Sequence, residues 1–328
     1  MGRSVKQGSA AGRVAVIGEL NVDLIAGGLG GAPVFGGEIL APEFEMTLGS
    51  ASAIFACGVA RLGHPVTFVS RVGRDHFGRF CLEALRGAGV STRRVVQDAG
   101  LRTGVTISLS TRRDRALVTF LGAIAEVSPG QAPPELFRRH RHLHLTSYFL
   151  QRRLRPAFPA LLAEARRRGL TTSFDPNSDP AQDWGDGLKD VLRETDILFV
   201  NEEEARLLTR QRKVEAALAQ LGRSVPCVAV KLGARGAAAI RGGEVRFAPG
   251  FAVEAVDTTG AGDSFAAGFV HGALGGKKLR ECLELGNACG ALSTMRPGGT
   301  AGQPDRARLT QFLQTVKKQA ASAAPGSN

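Results

Sequence analysis

The chain has 328 residues, 43% of them hydrophobic and 22% charged, an ordinary globular composition that leaves room for one large α/β domain or two small ones. Its 42 glycines are scattered among apolar runs, which excludes a collagen-like or low-complexity chain. A net charge of +12 brings nucleic-acid binding into view, but one Trp, one Tyr and no recognisable nucleic-acid-binding motif speak against it.

In chain order, residues 1–12 are small and polar, with no apolar leader, and read as a disordered end. Residues 13–18 are a buried first strand. Residues 24–45, rich in Gly and Pro, read as loops and short exposed strands. Apolar positions at helical spacing predict a helix over 52–62, stopped by Gly63. A strand at 66–72 and a helix at 77–87 follow. Segments 103–109 and 116–121 alternate around the polar turn Arg112-Arg113-Asp114-Arg115, a hairpin signal. From residue 142 onward strands (142–147, 170–174, 196–200, 226–230) alternate with helices (155–168, 186–194, 202–208, 213–221), the signature of a parallel α/β sheet. A hairpin at 237–247 and helices at 263–274, 279–294 and 305–318 complete the pattern. Residues 319–328 read as a disordered tail.

One α/β domain over 13–318 is therefore expected. Segments 22–48 and 102–126 break the alternation and are expected to pair as a small lid. The basic runs at 138–141, 152–155 and 166–168 read as solvated helix faces. Cys57, Cys81, Cys227, Cys282 and Cys289 form no CxxC pair, so they read as reduced, buried thiols of a cytoplasmic protein. No run approaches the roughly 18 apolar residues of a membrane span.

The most informative segment is Asp257-Thr258-Thr259-Gly260-Ala261-Gly262-Asp263-Ser264-Phe265. Without Cβ atoms, Gly260 and Gly262 let the backbone turn tightly and approach a ligand. An apolar helical pattern (Phe265, Ala266, Phe269, Val270, Leu274) begins directly after. The turn thus delivers free N–H groups at a helix N-terminus, where an anion is favoured. Phosphoryl transfer requires such donors. Asp263, kept ionised by the helix terminus, would stand where it can take a hydroxyl proton, its strength coming from position. Taken alone, these residues equally admit a plain capped helix. The segment is neither a Walker A loop nor GxGxxG.

DTTGAGDSFAAGF resembles, nearly letter for letter, the C-terminal signature of the ribokinase-like (PfkB-type) carbohydrate kinases. Ala60-Arg61-Leu62-Gly63, Val72-Gly73-Arg74-Asp75 and Phe77-Gly78 resemble the N-terminal signature of the same family. The resemblance spans about 14–313. It implies a three-layer α/β/α domain with a mostly parallel sheet and a small β-sheet lid. It also implies ATP as phosphoryl donor with Mg²⁺, Asp263 as general base, and Gly260, Ala261 and Gly262 as backbone donors to the transferred group. Asn21-Val22-Asp23 matches the Asn-x-Asp that meets sugar hydroxyls, and a carboxylate can accept from both hydroxyls of a diol.

Gly49 and Ser50 fit loosely the Gly-Gly stretch beside the sugar. The Asn that ends this stretch is replaced by Ala53 or Ile54, and Ile124 replaces another on a lid strand. Arg112, Arg113 and Arg115 could meet a phosphate or carboxylate, or form only an exposed turn. Asn201 and Glu204 match the Asn-x-x-Glu that organises Mg²⁺ and its waters, and the same residues spell a capping box. By the same resemblance Lys231, Gly233 and Gly236 border the nucleotide and Asn287 lines the adenine pocket. Some members bind a monovalent cation such as K⁺ through backbone oxygens near Asp257, Thr259 and Pro297-Gly298-Gly299.

The implied reaction is phosphorylation of a ribose-, fructose- or 2-keto-3-deoxygluconate-like acceptor by a homodimer joined through its lids. One alternative is a nucleoside kinase of the same family, with Ala53, Ile54 and Ile124 forming an apolar pocket for a base. From another class comes a basic nucleic-acid-binding or regulatory protein that keeps the fold without catalysis.

Overall fold

In strand β1 (Val14–Ile17), Val14 and Val16 join one hydrophobic cluster while Ala15 and Ile17 join another, and all four are buried. A strand buried on both faces belongs at the centre of a sheet covered by helices on each side. The computed structural model, which describes residues 12–111, 114–185 and 187–323, has that architecture.

After β1 come β2 (Asn21–Leu29), β3 (Glu43–Leu48), α1 (Ala51–Arg61), β4 (Val66–Gly73), α2 (His76–Gly87), β5 (Val90–Asp98), β6 (Gly104–Thr111) and β7 (Arg115–Phe120). The alternating half contains β8 (His142–Thr146), α3 (Phe158–Arg167), β9 (Thr171–Asp175), α4 (Leu188–Arg193), β10 (Ile197–Asn201), α5 (Glu202–Thr209), α6 (Val214–Leu221) and β11 (Cys227–Lys231). The hairpin β12 (Gly236–Arg241) and β13 (Glu244–Pro249) leads to α7 (Ala261–Leu274), α8 (Leu279–Ser293) and α9 (Arg306–Ala323).

The main sheet has the order β13-β12-β11-β10-β9-β8-β1-β4-β5. It is parallel from β11 to β5, and β12 and β13 run antiparallel at one edge. Phe55, Phe68, Phe199, Phe265 and Phe269 pack on one face under α1, α7 and α8. Leu143, Leu145, Phe158, Phe174 and Leu198 pack on the other, under α3 to α6.

The second sheet, β3-β2-β6-β7, is the lid expected from segments 22–48 and 102–126. Register gives it two unlike faces. Thr47, Asp23, Thr106 and Thr119 form one polar row across the sheet, and Ser110 pairs with Arg115 further along. On the opposite face Val22 and Leu48 pack into the core, whereas Phe44, Ile107, Val118 and Phe120 remain exposed.

Three expectations need correction, and one strand was not anticipated. Strand β5 carried no readable pattern, because Arg93, Arg94, Gln97 and Asp98 sit on an edge strand buried mainly at its start. Helix α9 continues to Ala323, so residues 319–323 are helical rather than a disordered tail. Gly12, assigned to the disordered start, is buried and its carbonyl meets the ring of His64 at 3.2 Å. The lid strand ends at Phe120, and the 3₁₀ turn Gly122–Glu126 returns the chain to the main body. The expectations for residues 1–11 and 324–328, and for Arg112 and Arg113, lie outside the described residues.

The basic runs are in part charge-paired at the surface: Arg166 with Glu194 and Asp196, Arg168 with Glu164, and Arg153 with Glu126. All five cysteines are free and buried. Among the described residues no helix is long and apolar enough to cross a membrane.

Candidate active site

Parallel α/β sheets place ligand sites beyond the carboxyl ends of their strands. Here those ends carry Glu19 after β1, Ser147 after β8, Asp175 closing β9, Asn201 closing β10 and Lys231 closing β11. Register draws them together: Thr146 lies beside Asp175, and Asn201 beside Lys231.

Helix α7 starts over this row. Gly260 is its N-cap at φ 69°, with no side chain capping the first turn. A Cβ on Gly260 would stand 2.9 Å from both Gly299 Cα and Ile54 Cγ2, so the position demands glycine on conformation and on space. First-turn N–H groups have no intrahelical acceptor. That of Ala261 is instead given to the Thr258 carbonyl at 3.2 Å, which corrects its assignment as a free donor. Asp257 fixes the loop: its carboxylate accepts from Thr259 N and from Gly298 N, both at 2.8 Å.

Asp263 lies in the first turn of α7, facing Lys231. Burial pushes its carboxyl up to about 7. The charges of Asp175, Glu19 and Glu204 add to the rise, and Lys231 opposes it. Burial and three like charges work against the helix terminus, so Asp263 holds its proton to a higher pH than the terminus alone would give. Lys231 Nζ is 2.6 Å from Asp175 Oδ2. Burial works against its charge, yet Asp175, Glu204 and Asp263 together hold its pKa above the ordinary lysine value.

Glu204 is buried and raised by that burial, with Lys231 counteracting. Its Oε2 accepts from Asn201 N at 2.7 Å, and Asn201 Oδ1 accepts from Glu204 N at 2.8 Å. The capping box therefore exists. Lys231, Asn201 and Gly233 line one cavity of about 570 Å³ together with Arg206, Arg212 and Lys213.

The other two residues expected on the nucleotide side, Gly236 and Asn287, each have a structural role as well. Gly236 sits at φ 104° where a Cβ would collide with the Ala248 carbonyl, so its glycine serves the β12–β13 crossing. Asn287 is buried, and its amide nitrogen donates to Ala248 O and Pro249 O, both at 3.0 Å.

On the lid side, Asp23 is raised to about 6 by burial, with the hydrogen bond from Asn21 and the charge of Arg115 opposing. Asn21 Nδ2 donates to Asp23 Oδ1 at 2.9 Å and to Thr106 Oγ1 at 3.2 Å. Gly49 lies against this pair: its N–H donates to Asn21 O at 3.0 Å, and a Cβ there would collide with Asp23 Oδ1. Ser50 is different. Its hydroxyl donates to Glu19 O at 2.6 Å and accepts from Ala53 N at 3.0 Å, so it is turned inward, away from the role expected for it.

Arg115 Nη1 reaches Thr259 Oγ1 at 3.3 Å, joining the lid to the loop before α7. Between them lies a cleft of about 1040 Å³ whose walls include Ser108, Ser110, Arg115 and the 255–259 segment.

The apolar pocket expected from Ala53, Ile54 and Ile124 does not form. All three are buried, Ile54 beneath Gly260 and Gly299, and Ile124 beneath Gly104. Sequence reasoning also missed Glu19 and Asp175. Each is a lone acid at a strand end, and that position was the available signal.

No cluster of three metal-ligating side chains exists among the described residues. Mg²⁺ keeps several waters and takes few protein ligands beside substrate phosphates. Glu204, buried beside Lys231, fits a water-mediated contact of this kind.

The family model of the pfkB family carbohydrate kinases matches residues 11–306. The chain is 32% identical over 297 residues to the 2-dehydro-3-deoxygluconokinase of Bacillus subtilis (strain 168), covering 86% of this chain and 91% of that one. It is 33% identical over 320 residues to a fructokinase of Klebsiella pneumoniae, covering 92% and 99%. Arabidopsis thaliana ribokinase complexed with ribose and ATP superposes with a TM-score of 0.81 at 26% identity, covering 93% of this chain and 99% of that one.

Proposed function

The chain belongs to the pfkB family of carbohydrate kinases, and on that premise we propose that it transfers the γ-phosphoryl group of ATP to a hydroxyl of a ribose-, fructose- or 2-dehydro-3-deoxygluconate-like acceptor, with Asp263 as general base. The observation that carries the reading is Asp263 itself. It is a carboxyl raised to about 7 in the first turn of an uncapped helix, opposite Lys231. A base with a pKa near the working pH can both hold and release a proton during turnover.

In this reading Asp23 accepts acceptor hydroxyls from the lid side and Gly49 sets their distance. Asp263 takes the proton of the attacking hydroxyl. The N–H groups of Gly260 and Gly262 face the transferred group, and Lys231 balances charge beside it. Glu204 and Asn201 would hold the waters of Mg²⁺, which when bound would neutralise charge on the phosphates. Lys231 and Gly233 border the nucleotide. The carbonyls around Asp257, Thr259 and Gly298 would receive a monovalent cation. Arg115 closes the lid onto Thr259 and excludes water.

The exposed apolar lid face, with Phe44, Val118 and Phe120, supports a homodimer joined there. The five free thiols fit a cytoplasmic setting.

The test is acceptor-dependent ADP release from Mg-ATP over a panel of ribose, fructose, 2-dehydro-3-deoxygluconate and nucleosides. One sugar or sugar acid should stand out, and Asp263→Asn should lower its turnover by about 10²–10⁴-fold. Near-normal turnover in that variant removes Asp263 from the base role.

A further inference from the structure

Glu19 is a carboxylate with only 1% of its surface exposed, two residues beyond the end of β1, and among the described residues its side-chain partners are serines rather than basic groups. Its needs are met by three donors, with the Ser50 hydroxyl, whose proton goes mainly to the Glu19 carbonyl, close by. Oε1 accepts from Ser147 Oγ at 2.9 Å and from Ser52 N at 3.1 Å, with Ser50 Oγ at 3.2 Å. Oε2 accepts from Ser52 Oγ at 2.6 Å. A buried charge held by hydroxyls is costly unless every bond is made.

The network coincides with backbone strain. The non-glycine residues at positive φ include Ser50 (74°), Ser147 (54°) and Asn177 (54°), all part of this network. Such residues persist only where their surroundings over-determine them, and they cluster at functional sites.

The network has two ends. On the lid side, Ser50 follows Gly49, whose backbone abuts Asn21 and Asp23. On the phosphate side, Ser147 Oγ accepts from Asn177 Nδ2 at 3.0 Å, Asn177 N donates to Asp175 Oδ1 at 3.2 Å, and Asp175 holds Lys231. The lid side is the more directly held, since Glu19 touches the Ser50–Ser52 turn itself. The path to Lys231 runs through single bonds in series.

We propose that Glu19 is a positioning residue of the acceptor site: it locks the Ser50 and Ser147 turns in their left-handed backbone and thereby sets the Gly49 wall against Asp23. The role rests on the kinase reading above. Glu19 reaches no reacting atom in it and acts through Gly49 and Asp23.

Two variants test this in the full chain, using whichever acceptor the wild type phosphorylates. Glu19→Gln keeps the shape and removes the charge. Ser52→Ala removes the shortest bond and no charge. In both, acceptor KM should rise by about tenfold, the order expected when a binding group is misplaced by a fraction of an ångström. ATP KM should stay within about twofold of wild type. Glu19→Asp, which keeps the charge on a shorter arm, should restore part of the acceptor KM in comparison with Glu19→Gln.

Unchanged acceptor KM in both Glu19→Gln and Ser52→Ala would overturn the assignment. So would a parallel rise of both KM values, or a fall in melting temperature with normal kinetics in the folded fraction, each of which marks a general structural role. A wild-type chain that phosphorylates no acceptor would instead remove the kinase reading and this assignment with it.

Discussion

Replacing Asp263 by Asn is expected to slow turnover and, separately, to stabilise the fold at neutral and higher pH. The carboxyl, ordinarily near 3.8, is lifted to about 7 in the folded chain, first by burial and then by the charges of Asp175, Glu19 and Glu204. A raised carboxyl binds its proton more tightly when folded than when unfolded. Its ionisation therefore costs stability progressively from about pH 4 to about pH 7. One pKa unit corresponds to about 1.4 kcal/mol, so the full cost is of order 4 kcal/mol above pH 8. At pH 5 the same relation leaves roughly 1.5 kcal/mol.

Asn has no charge to bury, so the variant escapes this cost. Urea unfolding at pH 5 and pH 8 should show the advantage of Asp263→Asn growing by about 2–3 kcal/mol between the two. A difference that stays flat with pH would refute the reasoning. It would mean that the carboxylate is comfortable when ionised and that its neighbours do not act as described.

Further outcomes follow from the same geometry. The pH profile of kcat/KM should have an acid limb near 7 rather than near 4, because the base must be ionised to act. A limb near 4, measured from initial rates across pH 4–9, would place the base elsewhere. Gly260→Ala must hold a side chain at φ 69° and push Ile54 or Gly299 aside, which should cost about 1–3 kcal/mol in urea unfolding and abolish ADP release. Lys231→Met leaves Asp175 without its ion-pair partner, and removal of one partner of a buried pair costs about 3–5 kcal/mol. Thermal unfolding should show this loss, with the deficit smaller at pH 5 than at pH 8 because the raised Glu204 and Asp263 carboxyls are then more protonated.

Much of the fold was legible because it rests on periodicity. Strands β10 and β11 are short and mostly apolar, β8 alternates His and Leu, and the helices between them carry their apolar residues at helical spacing. The lid was legible as a break in that alternation. Strand β5 was not, since an edge strand with Arg93, Arg94 and Gln97 has no reason to alternate. Ile54 and Ile124 misled for the opposite reason. An apolar residue in place of Asn suggests an apolar pocket, but the chain cannot announce that Gly260, Gly299 and Gly104 lie close enough to cover both side chains.

The site divides along the same line. The turn at 257–263 was legible because its function is local: two glycines, a helix start and one acid within a few residues. Asp175 and Glu19 acquire theirs only when distant strand ends converge, and a single acid after a strand carries no pattern of its own. The ionisation of Asp263 shows what that convergence does. A helix N-terminus stabilises a carboxylate by about 0.3–1 kcal/mol and at most ~2, which lowers its pKa by roughly 1.5 units or less. Burial and three neighbouring carboxylates raise it by a larger amount in the other direction, from 3.8 to about 7. The local effect that sequence can see is therefore the smaller of the two, and the larger one is set by residues up to 244 positions away, such as Glu19. Placing the residue was a matter of sequence, and setting its proton affinity is a matter of the assembled strand ends.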